Sequence, residues 1–257
     1  MKIIPVDLPN ELKNLELFSV CDLHIGDKAV DLPLFKKTRD YILYNSNAFC
    51  LLNGDLFNMA TKNSVSNVYN DTHSPGDQFS VIKELIKPLV DVGKVWAIGD
   101  GNHEYRSEKE VDLNVTKLLA ESLGIGDKYC ENEGVIKLTF GRGYNGKKIC
   151  YLIYFTHGNG GGKKPGSSLN NLVDLSQSID CDIYIVGHSH KRTAHKNSFR
   201  RIDTRNNCVT EHERLFVISS SFTSYGGYAA RGMMIPSAKG AVPILLSGSE
   251  KAFYGQV

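Results

Sequence analysis

The sequence predicts an α/β chain. Short apolar runs recur along it, and polar segments with helical periodicity separate them. Five of the runs also end in residues able to bind a metal ion. The runs cover 15–21, 48–52, 95–98, 149–155, 183–186 and 215–218. Each is four to seven residues long and most are rich in β-branched or aromatic side chains, as strands buried on both faces are.

Four helices are expected between them. Asp31 caps the first, with Pro33 in its first turn and Leu34, Phe35, Thr38, Tyr41 and Ile42 on one face. Phe79, Ile82, Leu85 and Ile86 form a second stripe, which Pro88 should end or kink. Val115, Leu118, Leu119 and Ser122 form a third, closed by Gly124. Leu169, Leu172, Val173, Ser176 and Ile179 form a fourth. Beyond Ile179, strands follow one another as far as 242–246, so this part reads as β-rich. Residues 58–78 are polar and aperiodic, the pattern of a functional loop. Neither a repeat nor a low-complexity linker divides the 257 residues, and one domain over 1–257 is expected.

Composition sets bounds. Apolar residues make up 41% and charged residues 23%, and the net charge is +2. No global field favours nucleic acid or a membrane, so any preference for a polyanion must come from a local patch. None of the six cysteines (21, 50, 130, 150, 181, 208) forms a Cys-x-x-Cys pair, and four lie in or beside apolar runs. Reduced, buried thiols in a cytoplasmic setting are expected. No stretch is long and apolar enough for a signal peptide or a membrane span.

The chemistry lies at the run ends. Asp22-Leu23-His24 follows the first, Asn53-Gly54-Asp55 the second, and Asp100-Gly101-Asn102-His103-Glu104 the third. Thr156-His157-Gly158 and Gly187-His188-Ser189-His190 follow the next two. In open α/β sheets, ligands collect outside the carboxyl ends of strands. Imidazole together with carboxylate suits Mn, Fe, Zn or Ni better than Mg or Ca. Two ions ~3.5–4 Å apart need a shared ligand, and a carboxylate can bridge with its two oxygens. Asp-x-His on an extended segment aims both side chains one way; His-x-His does the same, or diverges to two ions in a turn. Alone, Asp22 or Asp55 reads as a cap and Asn102 as a turn residue. Asp100 reads as a turn residue, Glu104 as a first-turn helix acid, Cys21 as core, and His73, His195 and His212 as surface residues.

Asp-x-His, Gly-Asp, Gly-Asn-His-Glu, His-Gly and Gly-His-x-His, in this order across 22–190, resemble the calcineurin-like metallophosphoesterase superfamily. Ser221-Phe222, Tyr225-Gly226-Gly227-Tyr228 and Leu245-Leu246-Ser247-Gly248 resemble small phage and prophage members. The resemblance implies a four-layer α-β-β-α sandwich of two mixed β-sheets flanked by helices. It implies one metal held by Asp22, His24 and His190, a second held by Asn102, His157 and His188, and Asp55 bridging them. A hydroxide shared by two divalent transition ions (Mn first, with Fe, Zn or Ni as options) would be the nucleophile. His103 would give a proton to the leaving oxygen or stabilise charge on the phosphoryl group.

Departures narrow the branch. Protein phosphatases of the superfamily carry Gly-Asp-x-x-Asp-Arg-Gly, whose second Asp orients the proton-donating histidine; here Asn58 and Met59 stand instead. Lipid A pyrophosphatases carry Arg where this chain has His103, and double-strand-break nucleases carry Asp where it has Glu104. What remains is a phosphodiesterase acting on a nucleic acid or nucleotide. A phosphomonoesterase for a small metabolite and a catalytically silent protein-binding scaffold are the alternatives. Asn102, Lys163 and Lys164 are candidate substrate contacts, the lysines in the glycine-rich stretch 158–164, which otherwise reads as a solvated loop. The basic stretch 191–205 reads either as a polyanion-steering patch or as a solvated hairpin.

Overall fold

A computed structural model gives the fold, describing residues 1–257 apart from 65–67, 161, 163, 227–229, 231, 232 and 234. Asn14–Val20 (β2), Ala48–Asn53 (β3) and Val95–Gly99 (β4) are parallel neighbours at the centre of one sheet. With β1 (Lys2–Asp7), β5 (Tyr129–Cys130), β6 (Glu133–Phe140), β7 (Ile149–Thr156), β8 (Ile183–Val186), β9 (Thr193–Asp203), β10 (Cys208–Ile218), β11 (Val242–Ser247) and β12 (Phe253–Gly255), they build two six-stranded sheets. One runs β12-β11-β2-β3-β4-β5 and the other β1-β6-β7-β8-β10-β9, and both mix parallel with antiparallel pairs.

Between the sheets lies an apolar layer that includes Leu17, Leu51, Ile136, Ile153, Ile185 and Val217. The outer face of the β2 sheet packs on three helices, α1 (Leu32–Tyr44), α2 (Pro75–Asp91) and α4 (Val115–Ser122), through residues such as Phe35, Ile82 and Leu119. The outer face of the other sheet takes α5 (Pro165–Leu175) through Leu172 against Tyr154, Tyr184 and Phe216. The result is an α-β-β-α sandwich of two mixed sheets.

The expected helices form for the expected reasons. Asp31 accepts from the Leu34 N–H as the cap of α1. Gly124, at φ +74°, follows the end of α4 in the left-handed conformation that closes helices. Two expectations need correction. Pro88 does not end α2, which runs on to Asp91; it lies in the last turn, and the apolar face through Leu89 continues past it. The fourth helix stops at Leu175, with Ser176 as its cap, and Ile179 lies beyond it.

Some elements have no apolar signature. The helix α3 (Glu104–Val111) is polar and buries only Glu104. Edge strand β1 carries Pro5, tolerated where one side of the ladder is open. Edge strand β9 is polar because it forms an exposed hairpin with β10. No described helix is long and apolar enough to cross a membrane.

Ile153 is fully buried and paired with Ile136 and Ile183 on its two sides. Ile153→Ala is expected to lower stability by ~2–5 kcal/mol through lost burial and a residual cavity, measured by urea unfolding. A loss below ~1 kcal/mol would mean that the layer between the sheets is not tightly packed.

Candidate metal centre

Every expected ligand lies just beyond a strand: Asp22 and His24 after β2, Asp55 after β3, Asn102 after β4, His157 after β7, and His188 and His190 after β8. Asp22, His24, Asp55, His188 and His190 all have φ between +50° and +62°. An L-residue held there costs ~1–2 kcal/mol, and such strain persists where surrounding structure enforces it, commonly at functional sites. The extended geometry expected for Asp-x-His is therefore corrected. β2 ends at Val20, and Asp22 and His24 converge from a left-handed loop. The two histidines of His-x-His diverge from a similar turn.

Backbone hydrogen bonds tie the loops together. Asp22 N–H donates to Gly54 O at 3.1 Å, and His24 N–H to Asp55 O at 3.0 Å. Asp22 O accepts from Phe222 N–H at 3.1 Å, and His157 O from Gly187 N–H at 3.1 Å. Close approach leaves no room for a side chain at Gly101 and little at Gly187. A Cβ at Gly101 would overlap Asp55 Oδ1, and one at Gly187 would stand 3.0 Å from His157 Nδ1.

Asp22 and Asp55 are 0% and 1% exposed. Each has one oxygen fixed by a backbone N–H: Asp22 Oδ2 by His188 at 3.1 Å and Asp55 Oδ1 by His103 at 2.9 Å. The other oxygen of each faces imidazoles. Asp22 Oδ1 lies 3.0 Å from His190 Nε2, 3.8 Å from His24 Nε2 and 3.9 Å from His157 Nε2. Asp55 Oδ2 lies 3.2 Å from His157 Nε2 and 3.9 Å from His24 Nε2. A bridge through both Asp55 oxygens is thus disfavoured, because Oδ1 is occupied by His103 N–H and only Oδ2 faces both sides.

Three groups of side chains bring ligand atoms close enough to share an ion: Asp22, His24 and His190; Asp55, His157 and His188; and His24, Asp55 and His103. Asn102 joins the second, its Oδ1 accepting from His188 Nδ1 at 2.7 Å. His157 donates from Nδ1 to Asn53 O at 2.7 Å, which presents Nε2 to the centre. Asp22 Oδ1 and His157 Nε2 are buried and make no well-directed hydrogen bond among the described residues. Polar atoms buried in this way cost free energy unless something else satisfies them. A divalent cation fits this donor set of imidazole, carboxylate and one amide oxygen.

The electrostatics agree. Burial alone would raise the Asp22 carboxyl, but the charges on His190 and His157 hold it down at about 2. Burial likewise opposes charge on His157, yet Asp55 and then Asp22 push its pKa up to about 10. His190 is also raised, against its burial, by Asp22. Burial lowers His24 and His188, helped by neighbouring histidine charges. A proton on His157 thus helps to balance the two carboxylates, and Asp22 favours one on His190 as well; a metal ion would take their place.

His103 stands at the edge of this cluster. Its Nε2 is 3.9 Å from Asp55 Oδ2, and its ring centroid is 4.3 Å from that of His24. Arg106 Nη2 lies 2.9 Å from His103 Nε2 and can only donate, so Nδ1 carries the hydrogen and donates to Asn58 O at 2.8 Å. A main-chain carbonyl therefore orients this histidine, while the Asn58 amide bonds Asp71 Oδ1 at 2.7 Å.

Glu104, read from sequence as a first-turn acid, does more than that. Its carboxylate accepts from the N–H groups of Asp55, Phe57 and Gly101 at 2.9–3.0 Å, joining the β3 and β4 loops. Burial first and Asp55 second push its pKa up to about 8, against those donors, which favour the carboxylate. Arg106 was also missed. The available signal was its place three residues after His103, one helical turn on, once α3 is recognised.

The 58–78 segment is pinned at both ends. Met59 N–H donates to Gln78 Oε1 at 3.1 Å, Gln78 Nε2 to Asp71 Oδ2 at 3.1 Å, and Thr72 N–H to Gly26 O at 2.8 Å. In the basic stretch, Lys196 pairs with Glu213 at 2.6 Å, Arg200 with Glu211 at 3.6 Å, and Arg201 with Asp180. These pairings favour the solvated hairpin over an open basic patch. Lys191 donates to the main-chain oxygens of Gly162 and Lys164, stapling the glycine-rich loop beside His190. Lys164 is exposed at the start of α5. Lys163, Gly161, Gly227 and Tyr228 lie outside the described residues.

No family model matches the sequence, and no curated protein matches it. Several solved structures are similar in chain course. Vps29 from Entamoeba histolytica, complexed with zinc, is 14% identical at a TM-score of 0.46, covering 94% of this chain and 91% of that one. A predicted phosphoesterase from Streptococcus pneumoniae is 13% identical at 0.40, covering 95% and 99%. The calcineurin-like phosphoesterase YfkN from Bacillus subtilis is 14% identical at 0.42, covering 95% and 88%.

Below a pH of about 10, His157 holds a proton that an incoming cation must displace, whereas Asp22, held at about 2, is already ionised. Divalent-ion uptake by chelator-stripped protein is therefore expected to release protons at pH 8 and to tighten as pH rises. Calorimetry in buffers of different ionisation enthalpy measures this. Uptake with no proton release would contradict the assigned charge balance.

Proposed function

We propose that this chain is a binuclear metal-dependent phosphodiesterase of the calcineurin-like superfamily, hydrolysing a phosphodiester of a nucleic acid or nucleotide. One observation carries the reading: Asp55 Oδ2 faces His157 on one side and His24 on the other, while its second oxygen is held by the main chain. This placement supports a carboxylate shared between two ions. The motifs from Asp22 to His190 that resemble the superfamily all meet at this point.

Asp22, His24 and His190 would hold one ion, and Asn102, His157 and His188 the other. The pair would supply Lewis acidity, acidifying the attacking water and neutralising the phosphoryl charge. Water then adds to phosphorus, the ester P–O bond breaks, and the departing oxygen takes up a proton. The attacking water loses one proton as the departing oxygen gains one, and His103 Nε2, unprotonated where Arg106 donates to it, is placed beside Asp55 to take up the first and pass it on. Lys164 and Lys163, which follow His157 in the sequence, are proposed as further substrate contacts.

The His190 side chain is 39% exposed, so the centre opens to solvent there. A diester carries a group on both sides of phosphorus and needs such an opening. Retention of every motif residue, together with their convergence, favours an enzyme over a silent scaffold. Mn is the ion proposed first, with Fe, Zn or Ni as substitutes, and the setting proposed is cytoplasmic. The likeness to phage and prophage members agrees with a nucleic-acid substrate.

With Mn²⁺, the protein is expected to hydrolyse bis-p-nitrophenyl phosphate faster than p-nitrophenyl phosphate. His103→Ala should keep its metal and lose ~10²–10⁴ in turnover. Dominant monoester turnover would replace the diesterase reading with a phosphomonoesterase. Metal-loaded protein that hydrolyses neither compound would contradict the proposed activity.

A further inference from the structure

Building on the two-ion reading, we infer that Glu104 is a positioning residue that sets how Asp55 is presented to both ions. Glu104 is 2% exposed, and burying a carboxylate is costly unless its oxygens are satisfied. The main chain satisfies them. Oε2 accepts from Asp55 N–H at 3.0 Å and from Gly101 N–H at 2.9 Å, and Oε1 accepts from Phe57 N–H at 3.0 Å. Three converging donors need two acceptor oxygens, which among side chains a carboxylate supplies.

The consequence falls on Asp55. Its N–H goes to Glu104, its main-chain O accepts from His24 N–H at 3.0 Å, and its Oδ1 accepts from His103 N–H at 2.9 Å. Oδ2 is then the polar atom of Asp55 left to face His157 and His24. The backbone there sits at φ +51°, a left-handed conformation that an L-residue holds at a cost. Glu104 secures that turn from both sides, through the N–H of Asp55 and the N–H of Phe57. Phe57 also bridges to Ile25, and Ile25 N–H donates to Leu56 O at 2.9 Å, so the loop carrying His24 is set against the same segment. On the other side, the bond to Gly101 fixes the residue before Asn102. One carboxylate thus registers a proposed ligand of the first ion, a proposed ligand of the second, and the residue shared between them.

The test compares wild-type protein, Glu104→Gln and Glu104→Asp. Each is stripped with chelator and titrated with Mn²⁺; bound ions are counted, the coupling between them is read by electron paramagnetic resonance, and stability is measured by urea unfolding. Glu104→Gln keeps the shape but turns one acceptor into a donor that must face a main-chain N–H. It is expected to stay folded, to bind Mn²⁺ ~10–100-fold more weakly, the scale of a lost outer contact at a metal site, and to show weakened coupling at saturation. Glu104→Asp, with both oxygens on a shorter stem, should recover part of each. Wild-type affinity and coupling in Glu104→Gln would overturn the inference even with lower stability, because Glu104 would then hold the loops and nothing more. Unfolding of both variants would assign Glu104 to the fold and also overturn it. The parent reading fails differently: wild-type protein that takes up fewer than two ions, or two without coupling, would remove the two-ion centre and this inference with it.

Discussion

Two carboxylates without access to water set the terms for this structure. Asp22 and Asp55 sit between the ends of two sheets, and a buried charge is tolerated only when it is compensated. Compensation here comes from backbone N–H groups on one oxygen of each, and from five imidazoles around the other two. With protons alone the balance is partial, because Asp22 Oδ1 and His157 Nε2 lie 3.0 and 3.2 Å from His190 and Asp55 without making a well-directed hydrogen bond. A divalent cation would complete it with the donors already in place.

The fold serves that arrangement. Parallel strands β2, β3 and β4 in one sheet, and β7 and β8 in the other, deliver their following loops to one edge of the sandwich. The loops reach the centre in left-handed conformations that L-residues adopt at a cost. Packing between the sheets and under α1, α2 and α4 offsets that cost. Gly101 and Gly187 let neighbouring loops touch, and Glu104 cross-links two of them. The same packing leaves the His190 side chain partly open to solvent.

Much of this was legible in the sequence. Strands buried on both faces announce themselves as continuous apolar runs, and ligands at their ends need no tertiary information to be noticed. Elements that bury little were less legible: α3, which buries only Glu104, gave no signal, and β9, an exposed polar edge, was legible only as one of two readings of 191–205, the solvated hairpin. Backbone contacts were invisible for a different reason. Asn58 acts on His103 through its carbonyl, which any residue would supply, so the departure from the protein-phosphatase pattern at position 58 gave no hint of it. The left-handed turns at Asp22 and His24 were likewise hidden, because they arise from loop packing and not from glycine. Pro88 left an end or a kink open, and the helix runs past it to Asp91 because the apolar face continues through Leu89.

The central claim is that these buried side chains hold two ions with Asp55 between them. A crystal of the protein grown with Mn²⁺, measured at the manganese absorption edge, tests it most directly. Two anomalous peaks ~3.5–4 Å apart are expected, one among Asp22, His24 and His190, the other among Asn102, His157 and His188, with Asp55 Oδ2 touching both. A single peak, peaks elsewhere on the surface, or none at millimolar Mn²⁺ would contradict it.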